Sequence, residues 1–467
     1  MKIKIKYREI KEISWIAKKL NAEVYLVGGY VRDTILGIDC TDIDIMVIGD
    51  AIDFANKTAK HFNTELSAIY KKFGTALLNI NNLKIEFSSA RKESYKRESR
   101  KPEVLLSNLS DDLSRRDFTI NALAVSLTDK DDVIDLFNGL NDLKVGIIKT
   151  PLDPEKTFDD DPLRMLRAIR FASRFNFSIE ENTLSAIAKY RDRLKDNIVS
   201  QERVTNEFLQ ILESGVPSIG LNLLYLSGLM DIVFPEVSNL AGVEQRKDYH
   251  HKDVFHHTLQ VVDNTAVKTN NIWLRFAALV HDIAKPKTKR FVEDIGWTFH
   301  GHEEAGARMM KKIFERMRLP MTHFEYVEKL IRLHLRPIPL ASDDVTDSAI
   351  RRLAAEAGEN LEDLLILCRA DITSKNPEKM KKFMNNYEKI EKRIVEVQDK
   401  DQLMNFQSPV RGEEIMEICN LKPSRTVGIL KKAIEEAILD GIIKNDYSEA
   451  KKYLYKIKDS ILNNAKD

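Results

Sequence analysis

Cysteine is scarce in this 467-residue chain: Cys40, Cys368 and Cys419 are odd in number, widely scattered and without a C-x-x-C pair. That argues against a disulfide framework or a zinc knuckle and reads as three core thiols. Excess charge is lacking as well, with 73 Lys and Arg against 72 Asp and Glu. A net charge of +1 argues against global attraction to nucleic acid, so any contact with a polyanion must come from local basic patches. No apolar run approaches a membrane span, and the opening Met-Lys-Ile-Lys lacks a signal-type apolar stretch; a cytoplasmic location away from membranes is expected. Internal repeats and low-complexity segments are absent too. What remains, 43% hydrophobic and 31% charged, is a globular chain too long for one core, and two to four domains are expected.

Chemistry-bearing residues concentrate first around Gly28-Gly29-Tyr30-Val31-Arg32-Asp33. Residues 7–20 read as an amphipathic helix, with Ile10, Ile13, Ile16, Ala17 and Leu20 on one face. Tyr25 to Val27 read as a buried strand running into Gly28-Gly29, where the backbone can turn sharply and lie close to a phosphate. A short helix ending near Gly37 leads to a strand from Asp42 to Ile48, whose period-two geometry puts Asp42 and Asp44 on one face. Paired carboxylates suit Mg²⁺ and phosphoryl or nucleotidyl transfer; the bland alternative is an Asp-rich surface turn. After a helix over 51–63 and a strand over 73–78, the alternation of Lys84-Ile85-Glu86-Phe87-Ser88 sets Glu86 opposite Ile85 and Phe87, a candidate third carboxylate or a plain exposed strand residue. Residues 91–101, dense in Arg and Lys and without apolar periodicity, read as a mobile basic loop.

In Arg115-Arg116-Asp117-Phe118-Thr119-Ile120-Asn121-Ala122, the adjacent arginines offer forks of donors to phosphate oxygens, and Asp117 can accept from a ribose hydroxyl. Further on, Leu163, Leu166, Ile169 and Phe171 fit a buried helix face, while Asp161, Arg164, Arg167 and Arg170 recur every three residues as a polar stripe. Such a row of arginines is costly to assemble without an anionic ligand.

GGYVRDTILG followed by DID resembles the signature of the polymerase β-type nucleotidyltransferase superfamily, in its bacterial CCA-adding enzyme and poly(A) polymerase branch. RRDFTINA resembles that family's ribose and triphosphate motif, carried by Arg115, Arg116, Asp117 and Asn121 beside Gly28, Gly29 and Arg32. DDPLR resembles its base-selecting motif, with Asp160 where the family often has Glu and with Asp161 and Arg164 unaltered; Arg167 and Arg170 follow as further nucleotide-binding candidates. QERVTNE, residues 201–207, is similar to its last neck motif, which braces neighbouring helices. The resemblance covers roughly the first 235 residues. It implies template-free addition of C, C and A to a tRNA 3′ end from CTP and ATP, with Mg²⁺ on Asp42 and Asp44 and Glu86 assisting. Poly(A) addition, or addition of CC alone or A alone, shares the first motifs.

From about residue 248 the chemistry changes. His257, His281-Asp282, His302, His334 and Asp371 arrive from successive helices and can cage one or two transition metals. The order H…HD…H…H…D resembles the HD-domain phosphohydrolases, implying Ni, Mn or Fe, while a silent HD fold kept for packing is the alternative. Lysine-rich stretches near 379–382 and 451–456 read as solvated helix faces.

The expected fold is multidomain and mostly α. It comprises an α/β head with a mixed sheet (1–145), a helical neck and body (146–240), an all-helical HD domain (241–375) and a helical tail (376–467). Two rivals from other classes stand beside the transferase: a phosphohydrolase whose head only binds RNA, and an RNA chaperone, which would leave the carboxylates unexplained.

Overall fold

Strand β1 (Val24–Val27) ends at Gly28, whose φ of +70° and ψ of −132° belong to a region that a Cβ closes. The helix Gly29–Ile35 starts at once, and the chain returns antiparallel to β1 as β2 (Asp42–Val47). The computed structural model describes all residues except 97–98, 130–131, 196–197, 244–252, 294–295, 342–345, 374–376, 402–407 and 465–467, and omits some side chains beside these, among them those of 93–104.

Three further strands, β3 (Ala68–Tyr70), β4 (Thr75–Ile80) and β5 (Leu83–Ser89), lie to one side of β2. After the paired strands β6 (Arg91–Lys96) and β7 (Ser99–Leu106) come β8 (Leu123–Ser126) and β9 (Val133–Asp135). The main sheet has the order β3-β4-β5-β2-β1-β8-β9. Its strand pairs are antiparallel apart from β2 with β5, which run parallel in a register setting Asp44 beside Glu86 and Asp42 beside Lys84.

One face of β2 and β5 presents Ile43, Ile45, Ile85 and Phe87, all buried. The helix Ala51–His61 covers it, with Phe54 and Phe87 rings 5.8 Å apart. Burying each such side chain contributes about 2 kcal/mol, and the alternation leaves Asp42, Asp44 and Glu86 to the opposite face. The first helix, Arg8–Lys19, buries Ile10, Ile13, Ile16 and Ala17 as expected, but Leu20 lies just past its end and is 40% exposed.

The basic stretch 91–101 is not a loop: β6 and β7 pair antiparallel as a separate ribbon. A ribbon outside the main sheet is held by main-chain pairing, which any sequence can make, so it leaves no alternation signal in the sequence.

The rest of this unit, which ends at Ser238, is mainly helical. The helix Leu163–Phe175 lies against Gln201–Leu212 and Pro217–Leu226. Besides the four apolar residues expected, it buries Met165, Ala168, Ala172, Ser173 and Arg170, so it is covered nearly all round.

Among the described residues of the second unit, Asn239–Asp467, the regular elements are helices and one hairpin. The first part of the unit packs Val254–Lys268, Ile272–Val280, His302–Met317, Phe324–Leu333 and Leu361–Asp371. The strands Arg290–Val292 and Gly296–Thr298 form the hairpin, an addition to the helical body. Near its end, Gly412–Cys419, Arg425–Leu439 and Tyr447–Asn464 close around Ile415, Leu430, Ile434 and Leu454. Lys451 in the last helix pairs with Glu414 at 2.9 Å, and much of 379–382 lies outside the described side chains. No helix among the described residues is long and apolar enough to cross a membrane.

Candidate functional site

The parallel pairing of β2 and β5 assembles the carboxylate edge. Asp42 is exposed, with Lys84 Nζ 3.6 Å away, and Asp44 is half-buried beside Glu86. Burial raises the Asp44 pKa, with Asp42 adding and Arg116 opposing; burial, then Asp44, raises that of Glu86. A carboxyl group whose pKa is raised by a neighbouring acid is relieved by a cation between them, and the all-oxygen donor set fits Mg²⁺, which binds few carboxylates and keeps room for water and phosphate. Among the described residues these carboxylates do not close into a three-ligand cluster with all atoms within 4.8 Å; that compactness belongs to the histidines below.

Gly28 is required here for two reasons. A Cβ would sit in forbidden backbone space and lie 2.7 Å from Arg116 Nη1 and 3.3 Å from Asp44 Oδ2. Arg116 is thus wedged between the glycine turn and the carboxylates. Both arginines of the pair are held from behind by Asp112, a fully buried residue the sequence reading missed. It accepts from Arg115 Nη2 at 2.5 Å and Arg116 Nη2 at 3.1 Å. Burial opposes its charge, yet Arg116 and Arg115 keep its carboxyl below the usual range. The available signal was spacing: an acid three and four residues before two arginines, at the end of the helix Leu109–Ser114.

Arg32, expected on the triphosphate, is placed inside the fold. It pairs with Asp33 at 2.6 Å, donates to Asn121 Oδ1 at 2.6 Å, and lies 5.0 Å and 4.8 Å from the rings of Phe171 and Phe175. Asn121 in turn donates to Asp117 Oδ1 at 2.9 Å. Asp117 Oδ2 accepts both Arg167 Nη2 at 2.6 Å and Arg167 Nε at 2.8 Å. Although burial works against its charge, Arg167 and Asn121 hold the Asp117 carboxyl well below the ordinary range. Arg170 is buried and paired with Glu207 at 2.6 Å.

Arg167 and Arg170 of the row therefore find their counter-charges within the protein. Asp161 is not part of that helix: it has extended backbone ahead of Pro162, and its Oδ1 accepts the Leu163 N–H at 3.2 Å. A cavity of about 370 Å³ is lined by Arg115, Arg116, Asp117, Asp161, Arg164 and Arg167, together with Arg203, Asn206 and Glu207 from the helix Gln201–Leu212. Arg203 and Asn206 lie in the neck-like motif expected mainly to brace neighbouring helices. Arg164 donates to the Arg115 carbonyl at 2.7 Å, tying the cavity wall to the arginine pair. Gly28, Gly29, Arg32, Asn121, Arg170 and the three carboxylates are not in the cavity lining.

In the second unit, all six expected ligands converge. The Nδ1 atoms of His281, His302 and His334 face the carbonyls of Ala278, Phe299 and Ile331 at 2.8, 2.7 and 2.6 Å, and His257 Nδ1 faces Thr373 Oγ1 at 2.8 Å. A carbonyl only accepts, so Nδ1 of the three carries the proton and Nε2 is left as a donor atom for a metal. Nε2 of His281, His302 and His334 is buried and makes no hydrogen bond. His257, His281 and Asp371 form one three-ligand group, and Asp282, His302 and His334 another. Without a cation, Asp282 and Asp371 outweigh burial and push His281 up to about 10, while burial and His281 push His334 down to about 4. The orphaned nitrogens and mixed N/O set fit one or two transition metals.

Three family profiles match the chain: the poly A polymerase head domain over residues 24–149, a probable RNA- and SrmB-binding site of polymerase A over 176–240, and the HD domain over 254–376. They define an enzyme of the nucleotidyltransferase class joined to an HD domain. A multifunctional CCA protein of Neisseria meningitidis is 35% identical over 67% of this chain and 72% of its own length. An A-adding tRNA nucleotidyltransferase of Deinococcus radiodurans is 31% identical over 71% and 75%. A solved tRNA nucleotidyltransferase complexed with a primer tRNA and an incoming ATP analogue is 25% identical with a TM-score of 0.58, over 82% of this chain and 99% of its own. A CCA-adding enzyme in apo form shares the fold, with a TM-score of 0.64 at 23% identity over 96% and 93%. The chain belongs to the CCA-adding tRNA nucleotidyltransferase and poly(A) polymerase family.

Proposed function

We propose that the chain adds C, C and A to the 3′ end of tRNA from CTP and ATP, without a nucleic-acid template, in the cytoplasm. The observation that carries this is the register placing Asp44 beside Glu86, with Arg116 reaching from that edge to a cavity walled by Asp161 and Arg164. Residues 1–145 act as the catalytic head and 146–240 as the base-selecting neck and body; 241–375 form the HD domain and 376–467 the tail.

Asp42 and Asp44, with Glu86 assisting, would hold two Mg²⁺, which when bound would supply a lowered pKa at the RNA 3′-hydroxyl and charge stabilisation at the α-phosphate and leaving pyrophosphate. Arg115 and Arg116, pre-set by Asp112, hold triphosphate oxygens without reorganising. Arg32, Asn121 and Asp117 form a chain of hydrogen bonds that fixes Arg167 beneath the nucleotide. Arg164 donates to an unprotonated ring nitrogen, N3 of cytosine or N1 of adenine, while Asp161 accepts from the exocyclic amino group. Uracil and guanine present a protonated ring nitrogen and a carbonyl there, so donors meet donors.

Incubating the protein with tRNAs ending before C, CC and CCA, with CTP and ATP separately and together, and sequencing the 3′ ends tests this. Addition of A alone, of CC alone or of a long A tract would replace it with the corresponding narrower or poly(A) activity.

A second activity is favoured by the orphaned histidine nitrogens: hydrolysis of phosphate monoesters or cyclic phosphodiesters at the HD centre. Binding of Ni²⁺, Mn²⁺ or Fe²⁺ followed by ester hydrolysis tests it, and a protein that binds none of these has an HD fold kept for packing.

A further inference from the structure

In the head, the strand registers carry two rows of side chains across one face of the sheet. One row runs Asp44, Glu86, Leu77, Ala68 over β2, β5, β4 and β3, and the next runs Met46, Ser88, Thr75, Tyr70. Directly paired residues share a face, so Tyr70 stands on the face of Asp44 and Glu86, roughly 12 Å from Glu86 at about 4.8 Å per strand and 3.3 Å per residue. Leu77 and Ala68 are only half-buried and Tyr70 is 50% exposed, so this end of the face is open to solvent. The chain continues through Lys71, Lys72 and Phe73, all exposed, and neither lysine has a counter-charge among the described residues. Arg91 Nη1 donates to the Phe73 carbonyl at 3.3 Å and holds the turn. Lysines often blunt the edge of a sheet, but these two follow the edge strand β3 in a 3-10 turn rather than standing in it.

We propose that Tyr70 and Phe73, with Lys71 and Lys72 between them, bind the single-stranded 3′ end of the RNA primer, Tyr70 by stacking on a base a few nucleotides behind the reacting hydroxyl. This rests on the transferase reading of the head. In a displacement at phosphorus the attacking hydroxyl and the leaving pyrophosphate stand in line on opposite sides. Arg116, the proposed triphosphate ligand, lies against Gly28 at the end of β1, and β1 and β5 flank β2 on opposite sides. The attacking hydroxyl therefore comes from the β5 side, and the strand behind it crosses β4 and β3 toward Tyr70. The separation from Glu86 to Tyr70 is the span of about three stacked nucleotides. Aromatic faces alternating with ammonium groups hold single strands of any sequence, whereas a surface built for a protein partner sheds lysines from its centre.

The probes are a tRNA ending in single-stranded CC and the same tRNA trimmed back to its last base pair, each bound to the full-length protein without nucleotide; A addition to the first is then measured with ATP. Tyr70→Ala should weaken the CC-ended tRNA about tenfold and leave the trimmed tRNA within about twofold. It should raise KM for the CC-ended tRNA by the same factor, with KM for ATP holding. Tyr70→Phe should restore wild-type affinity, because the ring stacks without its hydroxyl. Lys71→Ala with Lys72→Ala should flatten the slope of log affinity against log salt by about 1.4 for two lost phosphate contacts on a single strand, and only for the CC-ended tRNA. Equal loss on both tRNAs, no loss on either, or a rise in KM for ATP alone overturns the surface. So does altered self-association as the only effect, which would mark a protein interface. If Tyr70→Ala selectively weakens the single-stranded end but the wild type adds no nucleotide, the transferase reading falls and an RNA surface stands. If the wild type adds nucleotides and Tyr70→Ala binds both tRNAs as the wild type does, the surface falls and the transferase reading stands.

Discussion

The two candidate metal sites differ in how finished they are. In the head, Asp42 is exposed, Asp44 half-buried, and the nearby arginines are already engaged by Asp112, Asp117 and Glu207. In the second unit, His281, Asp282, His302 and His334 are buried and brought together in two tight groups. An edge with spare coordination suits a cation that must share its shell with a moving phosphate, whereas a closed cage suits one that stays. Under the proposed function the triphosphate would complete the head site, and openness would mark where substrate binding energy is spent.

The sharpest break in that comparison is Asp44→Ala. Removing a ligand from a site with few should reduce nucleotide incorporation about a thousandfold or more, while tRNA affinity survives because backbone contacts lie elsewhere. Incorporation assays and filter binding on the same preparation check both halves. Substantial incorporation would remove Asp44 from the proposed metal site.

The converse variant, His281→Ala with Asp282→Ala, should release all transition metal measured by elemental analysis and end phosphoesterase activity. CCA addition should stay within about twofold, as expected for units with separate cores. A parallel loss of CCA addition would show that the two centres are coupled.

Arg164→Ala sharpens what the open site reads. Losing a buried donor costs about 1–3 kcal/mol, so the ratio of CTP to UTP incorporation efficiency should fall about 10- to 100-fold, more than tRNA affinity falls. An unchanged ratio would rule out base reading by this residue.

The smallest effect concerns acid. Asp117 has its carboxyl held below the ordinary range in the folded chain, so between its unfolded and folded pKa the unfolded state binds more protons and stability drops as pH falls. The contribution is complete above the unfolded value, near pH 4, and is lost below it. Asp117→Asn should therefore be less stable than wild type at pH 7, with a shallower decline in Tm below pH 4. Parallel melting curves from pH 7 to 3 would disprove the assignment.

Much of the head was legible because its groups sit close together in the chain. Gly28 with Asp42 and Asp44 needs only a turn and a period-two strand, both local rules. Glu86 was visible as a face, but its partnership with Asp44 depends on β5 pairing parallel to β2, which no local pattern encodes. The pairing of β6 with β7, where 91–101 reads as a loop, is made by main-chain groups, which leave no apolar alternation to read. Asp112 was passed over because an acid before two arginines reads equally as a solvated charge run.

By itself the sequence determined which chemical groups exist and which face of each strand or helix they take, through glycine's missing Cβ and the periods of 2 and 3.6. It thereby specified a carboxylate pair, an arginine pair and six ordered ligands. Only the tertiary structure decided where the charges are neutralised. It turned Arg32 inward to Asn121, gave Arg167 to Asp117 and Arg170 to Glu207, and left Arg164 beside Asp161 at the cavity. The reason is physical: a buried guanidinium must find its carboxylate wherever packing brings one, and packing joins residues 37 to 89 positions apart that no local period relates.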